Sequence, residues 1–189
     1  MTDSMPTPTR LWKQMTSDQR ITAARAFWRD DQATDDQIQA VMLISQQKKF
    51  RPKTVVSLDE DRKARHLASL LNLPESLAAR ALVIYHLAER RPMMAAFLDA
   101  LGIAHEDGLI KEDAAKPDPE KLQQAATQIA DRFPPSDVAL YLNTLLCQDP
   151  ETWGGLRAVV PQITAGAEAS AQRANTRTTE TSTKKTTNV

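Results

Sequence analysis

The chain has 189 residues with 24 basic and 24 acidic side chains, so its formal net charge is zero. This length allows one domain with a hydrophobic core and is short for two, and the zero charge excludes the strongly basic class of nucleic-acid-binding proteins. Glycine is scarce and aromatic residues make up only 5% of the chain, while Ala, Leu, Gln, Glu, Lys and Arg abound, which indicates an all-α fold.

Capping residues mark where the first helices begin. A capping box has a short polar residue at the cap and a Glu or Gln three residues later. Four segments fit this pattern: Thr16–Gln19, Thr34–Gln37, Ser57–Glu60 and Asn72–Glu75. Two later helices are predicted to begin at the Asp-Pro pairs 118–119 and 149–150, because proline suits the first helical position.

The helical spacing of apolar residues predicts three amphipathic helices in the first part of the chain. They lie at about 17–30, 35–49 and 58–72. Their predicted inward faces are formed by Ile21, Ala24 and Trp28; by Ile38, Val41, Met42 and Ser45; and by Ala64, Leu67, Ala68 and Leu71. Between the last two helices, residues 50–57 are a candidate sub-boundary in which 54–56 are predicted to be extended.

A fourth helix, at about 74–90, is apolar on nearly all sides. Between positions 77 and 88 only Arg80 and His86 are polar. A helix of this kind is normally buried in the centre of a bundle, so we expect it to be the central element of the core.

The second half of the chain is predicted to continue as helices. A short helix at 93–101 ends at Gly102, and a polar loop with a turn at Asp107-Gly108 leads to Pro117. Helices follow at about 119–133 and 136–148, and a last ordered segment reaches about residue 164. The chain therefore predicts an irregular bundle of seven or eight short helices, forming a single domain over residues 10–164.

Both ends of the chain are predicted to be disordered, over residues 1–9 and 165–189. The C-terminal tail is rich in Ala, Thr, Ser and Asn and has no periodic apolar face. Packing therefore cannot offset the entropy lost on ordering it.

The single cysteine and the apolar runs bear on the cellular compartment. One cysteine, Cys147, cannot form an internal disulfide, and its neighbours Leu145 and Leu146 favour a buried thiol over a reactive one. The first residues lack the basic and apolar regions of a signal peptide. The longest purely apolar run, 81–85, is far shorter than the ~20 residues that span a bilayer. We expect a cytoplasmic protein with no cofactor and no membrane association.

Charge is distributed unevenly along the chain. Seven acids lie between Asp99 and Glu120, whereas residues 48–53 carry four cations: Lys48, Lys49, Arg51 and Lys53. Opposite patches either face each other within the fold or steer a partner. The sequence leaves both interpretations open.

The segment 65–88 resembles a helix-turn-helix DNA-binding motif. Ala68 lies in a first helix, a turn follows at Asn72-Leu73, and a second helix begins at once. Asn72 stands where the motif usually has glycine, and asparagine also adopts the left-handed conformation. The second helix offers few polar side chains for reading bases. The resemblance implies, as an alternative, a DNA-binding regulator whose nucleic-acid contacts are Lys48, Lys49, Arg51, Lys53 and Arg80.

Catalytic and metal-binding motifs are absent from the sequence. The candidate metal ligands are His66, His86 and His105, but there is no HExxH motif, cysteine cluster or carboxylate ladder. A glycine-rich phosphate loop and a nucleophile elbow are absent as well. An enzyme with no recognisable motif is the second alternative.

By elimination, the favoured function is a non-enzymatic protein-interaction or regulatory domain, with another protein as the partner. Small helical domains often present a groove or a helix face to a partner. Two apolar clusters are candidate contact surfaces if they are exposed, and core residues if they are not. They are Leu11 with Trp12, and Met93 and Met94 with Phe97.

Overall fold

The structure, a computed structural model, describes residues 6–111 and 116–166. Its helices are α1 (Pro8–Gln14), α2 (Ser17–Arg29), α3 (Thr34–Lys48), α4 (Pro52–Val56), α5 (Glu60–Ser69), α6 (Glu75–Glu89), α7 (Arg91–Leu101), α8 (Pro119–Ala130), α9 (Pro135–Gln148) and α10 (160–166). Short 3₁₀ turns span Asp31–Ala33 and Gly154–Ala158. The all-α fold is confirmed, with ten helices in the described ranges. None of them is long and apolar enough to cross a membrane.

Two of the predicted capping residues are correct. Thr16 and Gln19 form the capping box of α2: the Thr16 hydroxyl accepts a hydrogen bond from the Gln19 amide at 3.1 Å, and the Gln19 side chain accepts one from the Thr16 amide at 2.9 Å. Asp118 caps α8 at the predicted position. Asp149 also accepts backbone hydrogen bonds, but it begins a turn that leads to the second 3₁₀ helix rather than an α-helix.

The other three predicted capping boxes are wrong. Helix α3 begins after Ala33 without a side-chain cap, and the Gln37 side chain donates instead to backbone carbonyls at the end of α2. Asp59 rather than Ser57 caps α5. Helix α6 begins after Pro74 with no side-chain cap. At α3 and α6 the side chain that would complete the box bonds elsewhere, Glu75 accepting from the amide of Thr9, and at α5 Asp59 stands nearer to the helix than Ser57.

Two hydrophobic clusters form the core, and α6 lies between them. The first cluster is built mainly from α1 to α6, and the second from α7 to α10 with the 3₁₀ turn after Trp153. Helix α6 contacts α1, α2, α3, α7 and α9. Its buried residues are Leu77, Ala78, Ala81, Leu82, Ile84, Tyr85 and His86. The central position of this helix is confirmed, while the single domain over residues 10–164 stays a prediction.

The predicted inward face of α3 is correct at Ser45, which is buried, and at Val41, which packs against the first cluster, but it is wrong at Ile38 and Met42. Ile38 and Met42 are 60% and 46% exposed, whereas Ala40 and Ile44 are fully buried. Apolar residues occupy every position from 40 to 44, so periodicity alone does not select the face that packs. Leu71, predicted to face inward, is also exposed because it follows the end of α5.

The candidate boundary at 50–57 contains a helix rather than an extended segment. Lys49 takes a left-handed conformation with φ of 56° and ends α3. Helix α4 then begins at Pro52, where a missing amide hydrogen costs nothing. Val55 of α4 is fully buried in the first cluster, so this short helix is part of the packed core.

Helix α1 is anchored to the connection between α5 and α6. The indole Nε1 of Trp12 donates to the carbonyl oxygen of Leu70 at 2.8 Å, and the hydroxyl of Thr9 donates to that of Leu73 at 2.7 Å. Thus α1 begins within the segment 1–9 that was predicted to be disordered, and residues 165 and 166 are helical. The remaining parts of the predicted disordered ends, 1–5 and 167–189, lie outside the described residues.

The polar loop after α7 contains a short hairpin. Strands β1 (His105–Glu106) and β2 (Leu109–Ile110) pair in antiparallel register. The predicted turn at Asp107-Gly108 is confirmed, and both residues have left-handed φ values, 50° and 86°. Such values are typical of a two-residue type I′ turn, whose twist matches that of the paired strands.

Candidate interaction surface

The four cations of residues 48–53 lie at the surface where α3 leads into α4. Lys48 is the last residue of α3, Arg51 precedes α4, and Lys53 lies within α4. These three residues and Lys49 are all exposed. None of the four forms a salt bridge in the described part of the chain. Their charge is therefore available to a binding partner.

A groove of about 270 Å³ lies beside these cations, between the C-terminal ends of α3 and α5. It is lined by Leu43, Gln47, Lys48, Ser69, Leu70, Leu71 and Asn72. Leu71 is 45% exposed, and Phe50 and Val56 are 38% and 62% exposed. Charged and apolar groups are thus interleaved. We define the basic–apolar surface as Lys48, Lys49, Phe50, Arg51, Lys53, Val56 and Leu71.

His66 lies next to the basic–apolar surface without adding charge to it. Its ring meets that of Phe50 edge-on, with the centroids 5.4 Å apart. Partial burial, followed by the nearby positive charge of Lys48, lowers the pKa of His66 below its ordinary value. The ring is therefore neutral near pH 7, and the positive charge of this surface comes from the lysines and the arginine alone.

Arg80 is surrounded by acids, unlike the other residues of the predicted nucleic-acid contact set. Its Nη2 atom lies 3.6 Å from Asp30, and its Nε atom lies 3.7 Å from Asp36. Its charge is thus balanced within the fold. The second helix of the helix-turn-helix resemblance is α6, most of whose apolar side chains are buried in the core. DNA binding stays a prediction, although α6 is not exposed as a recognition helix would be.

Two of the seven acids between positions 99 and 120 make side-chain contacts that link α7 and the hairpin. Asp99 lies 3.0 Å from His105, and Asp107 lies 2.8 Å from Arg91. The first contact is a hydrogen bond and the second an ion pair, and both join the hairpin to α7. Acids 112 and 113 lie outside the described residues. In residues 6–111 and 116–166 no salt bridge joins this region to the cations of 48–53.

The apolar clusters that the sequence offered as contact surfaces belong to the core. Trp12 and Phe97 are fully buried, and Leu11, Met93 and Met94 are less than one tenth exposed. Of the two interpretations that the sequence left open, the one that assigns these residues to the core is correct, and the one that exposes them is wrong. The apolar residues of the basic–apolar surface were missed instead, because they lie at or beyond helix ends, where helical spacing no longer assigns a face.

A larger open cleft of about 870 Å³ lies between α2, α6 and the hairpin. Its arginines are already paired: Arg25 lies 2.8 Å from Asp61, and Arg29 lies 2.7 Å from Glu60. The hydrogen bond from Arg25 lowers the pKa of Asp61 below its usual range. This carboxylate is therefore a poor proton acceptor at neutral pH. No His or Cys side chain is among the described residues that line the cleft.

The three histidines are not brought together. His66 lies on α5, His86 is buried in α6, and His105 lies in β1. Within the described ranges no group of three or more His, Cys, Asp or Glu side chains could hold a metal ion. The geometry thus assembles neither a metal site nor a catalytic site from these residues.

Cys147 is partly buried, which agrees with its apolar neighbours in the sequence. Its Sγ donates a hydrogen bond to the carbonyl oxygen of Pro6 at 3.0 Å. Burial, with a smaller contribution from Glu75, raises the pKa of this thiol to about 11. The thiol is therefore protonated and unreactive near neutral pH.

No protein-family model, curated protein or solved structure matches this chain. The candidate interaction surface is therefore assigned from its geometry and charge alone.

Proposed function

We propose that the chain is a non-enzymatic protein-interaction domain that binds an acidic, partly apolar segment of another protein. The basic–apolar surface is the observation that carries this proposal. There, four cations without salt bridges in the described residues lie among three exposed apolar side chains, Phe50, Val56 and Leu71. The proposed location is the cytoplasm, which the single protonated cysteine supports, because the fold needs no oxidising compartment.

The charged and apolar parts of this surface contribute to binding in different ways. Exposed ion pairs add little to affinity, but complementary charge speeds association and fixes orientation. Apolar area removed from water contributes roughly 25 cal/mol per Å². We therefore expect Phe50, Val56 and Leu71 to hold the partner, and the four cations to select an acidic one.

A protein partner fits this surface better than a nucleic acid does. Only one of its three exposed apolar side chains, Phe50, is aromatic, so the surface offers bases a single ring for stacking. The chain also carries as many acids as bases, which weakens its long-range attraction for phosphate. A nucleic-acid partner would instead make the affinity fall steeply and linearly with the logarithm of salt concentration.

Site-specific photo-crosslinking in the native cell tests the proposal. A photoreactive amino acid replaces Val56, and a control chain carries it at Gln124, which is exposed on α8. Two further chains carry the photoreactive amino acid at position 56, each together with its own set of three charge reversals. The test set is Lys48→Glu, Arg51→Glu and Lys53→Glu, and the matched set elsewhere on the surface is Lys121→Glu, Arg132→Glu and Arg157→Glu.

The expected result is one discrete protein adduct at position 56 that is absent at position 124. It should be lost with the first set of reversals, retained with the second, and insensitive to nuclease. Equal crosslinking at 56 and 124, or equal effects of the two sets, would refute the proposal. An adduct abolished by nuclease would transfer the assignment to the nucleic-acid alternative.

A further inference from the structure

The outer face of α3 is a continuous exposed stripe that no other element covers in the described structure. Its members are Asp35, Ile38, Gln39, Met42, Gln46 and Lys49, and all six are exposed. At 3.6 residues per turn the five positions within the helix, 35 to 46, fall within about 100° of its circumference, and Lys49 follows at the C-terminal cap in a left-handed conformation. Ile38 and Met42 form its apolar centre, with exposed fractions of 60% and 46%.

Opposite charges stand at the two ends of this stripe. Asp35 lies in the first turn of α3, and Lys49 caps its C-terminal end. The two positions are fourteen residue steps apart, which corresponds to about 21 Å along the axis. Neither residue forms a salt bridge within the described part of the chain, whereas the neighbouring Asp36 pairs with Arg80. The stripe thus carries one unbalanced charge of each sign, separated by apolar side chains.

We propose that this stripe binds a second copy of the chain, with the two α3 helices antiparallel about a twofold axis at Met42. In this register Asp35 of each copy faces Lys49 of the other, and Ile38 faces Gln46. Met42 faces its own counterpart. A twofold contact requires a surface that complements itself, and antiparallel pairing of this stripe meets that requirement. Parallel pairing would place Asp35 against Asp35 and Lys49 against Lys49, so charge repulsion opposes it.

The contact is small, so the association should be weak and reversible. One face of a four-turn helix buries less than the ~1,200 Å² of total area that stable complexes need. We therefore expect a dissociation constant above roughly 1 µM and a monomer–dimer equilibrium that depends on concentration. The proposal goes beyond the binding of an acidic partner, because only Lys49 is common to the two surfaces.

Sedimentation velocity of the purified full chain over a wide concentration range tests the second-copy proposal. Met42→Glu places two carboxylates at the twofold axis and should weaken association about tenfold or more. Ile110→Glu, on the hairpin, is the matched control because Ile110 is 45% exposed and distant from the stripe in the chain. Circular dichroism confirms that each variant remains helical.

A charge exchange tests the antiparallel register itself. Asp35→Lys alone and Lys49→Glu alone should each weaken association, and the double variant should restore it, because the exchanged charges again face each other. A chain that stays monomeric at all concentrations, an unchanged affinity in Met42→Glu, or a double variant that is not restored would overturn the proposal. These measurements use the purified chain alone, so their failure leaves the crosslinking test of partner binding unaffected.

Discussion

The Nε2 atom of His86 lies 3.1 Å from the hydroxyl oxygen of Thr144, in the buried contact between α6 and α9. That hydroxyl donates its own hydrogen to the carbonyl oxygen of Leu140 at 2.8 Å. His86 must therefore donate from Nε2, which leaves Nδ1 as an acceptor. Nδ1 has no hydrogen-bond partner in the described structure. Burial, together with the positive charge of Arg90, lowers the pKa of His86 to about 3.

The first prediction concerns the pH dependence of stability. In the unfolded chain His86 titrates near its ordinary pKa of 6.5, whereas in the folded chain its pKa is about 3. Between these values the unfolded state binds one proton more, so the free energy of unfolding should fall as pH decreases from about 6.5. The slope should approach ~1.4 kcal/mol per pH unit. Urea unfolding at a series of pH values measures it.

The variant His86→Leu serves as the control for this pH dependence. It removes the titrating group and the unpaired acceptor and puts an apolar side chain in their place. The slope of the unfolding free energy against pH, between pH 6 and pH 4, should therefore lose the contribution of about one proton, ~1.4 kcal/mol per pH unit. His66 also has a lowered pKa, and its contribution should remain in the variant. An identical slope in both chains would contradict the assignment to His86.

The second prediction concerns Asp137, which joins α9 to two other parts of the fold. Its Oδ1 atom accepts a hydrogen bond from Gln19 at 2.9 Å, and its Oδ2 atom lies 3.2 Å from Nε of Arg90. The latter contact is an ion pair without hydrogen-bond geometry, because Nε of Arg90 has no hydrogen-bond partner among the residues that the structure describes. Removing the carboxylate leaves a mostly buried guanidinium without its counter-charge. Asp137→Ala should lower the free energy of unfolding by about 2–3 kcal/mol.

Chemical denaturation of Asp137→Ala and of Asp131→Ala checks this value. Asp131 is exposed at the end of α8, so its loss should change stability by less than about 0.5 kcal/mol. Similar effects of the two substitutions would show that the pair with Arg90 does not stabilise the fold.

The third prediction tests which face of α3 is buried. Ile44→Ala removes a fully buried side chain and should cost about 2–4 kcal/mol, since a cavity adds to the lost transfer energy. Ile38→Ala removes an exposed side chain of the same size and should cost less than about 0.5 kcal/mol. Thermal or urea unfolding at low protein concentration distinguishes them. If Ile38→Ala lowered stability more than Ile44→Ala, the buried face of α3 would be the one predicted from the sequence.

The fourth prediction compares two glycines with left-handed φ. At Gly108, φ is 86°, and a Cβ atom would lie 3.0 Å from Cβ of Met94 and 3.3 Å from the carbonyl oxygen of Arg91. At Gly102, φ is 68°, and apart from its chain neighbours no described residue has an atom within 4 Å of such a Cβ. Gly102→Ala should cost about 1 kcal/mol from backbone strain alone. Gly108→Ala should cost clearly more, because the hairpin must also move away from α7; equal losses in unfolding experiments would contradict this.

The sequence predicted the parts of the fold that depend on local chemistry. Helix α6 was placed correctly because its residues are apolar on all sides. The Thr16 cap and the Asp107-Gly108 turn were predicted because each depends on a few adjacent residues. The buried face of α3 was not fully predictable, because residues 40–44 are all apolar and point to all sides of the helix. Only the contacts of α3 with α4, α5 and α6 select the buried side.

The candidate interaction surface was predicted only in part, for a similar reason. The four cations were visible as a run, but the groove beside them combines residues 43–48 with residues 69–72. Those two segments meet only in the folded chain. The two apolar clusters, Leu11 with Trp12 and Met93 and Met94 with Phe97, were also visible in the sequence, but tertiary packing buries them.

Tyr85 and the residue that follows it connect the two hydrophobic clusters. Tyr85 belongs to the first cluster, whereas the ring of His86 meets that of Tyr141, a residue of the second cluster, with the centroids 5.3 Å apart. A single turn of α6 thus contributes to both cores. Neither cluster can open locally without exposing apolar surface of the other. The amide hydrogens of this turn should therefore exchange with solvent only through global unfolding. The two clusters are for this reason expected to behave as one cooperative unit, although they are separate in packing.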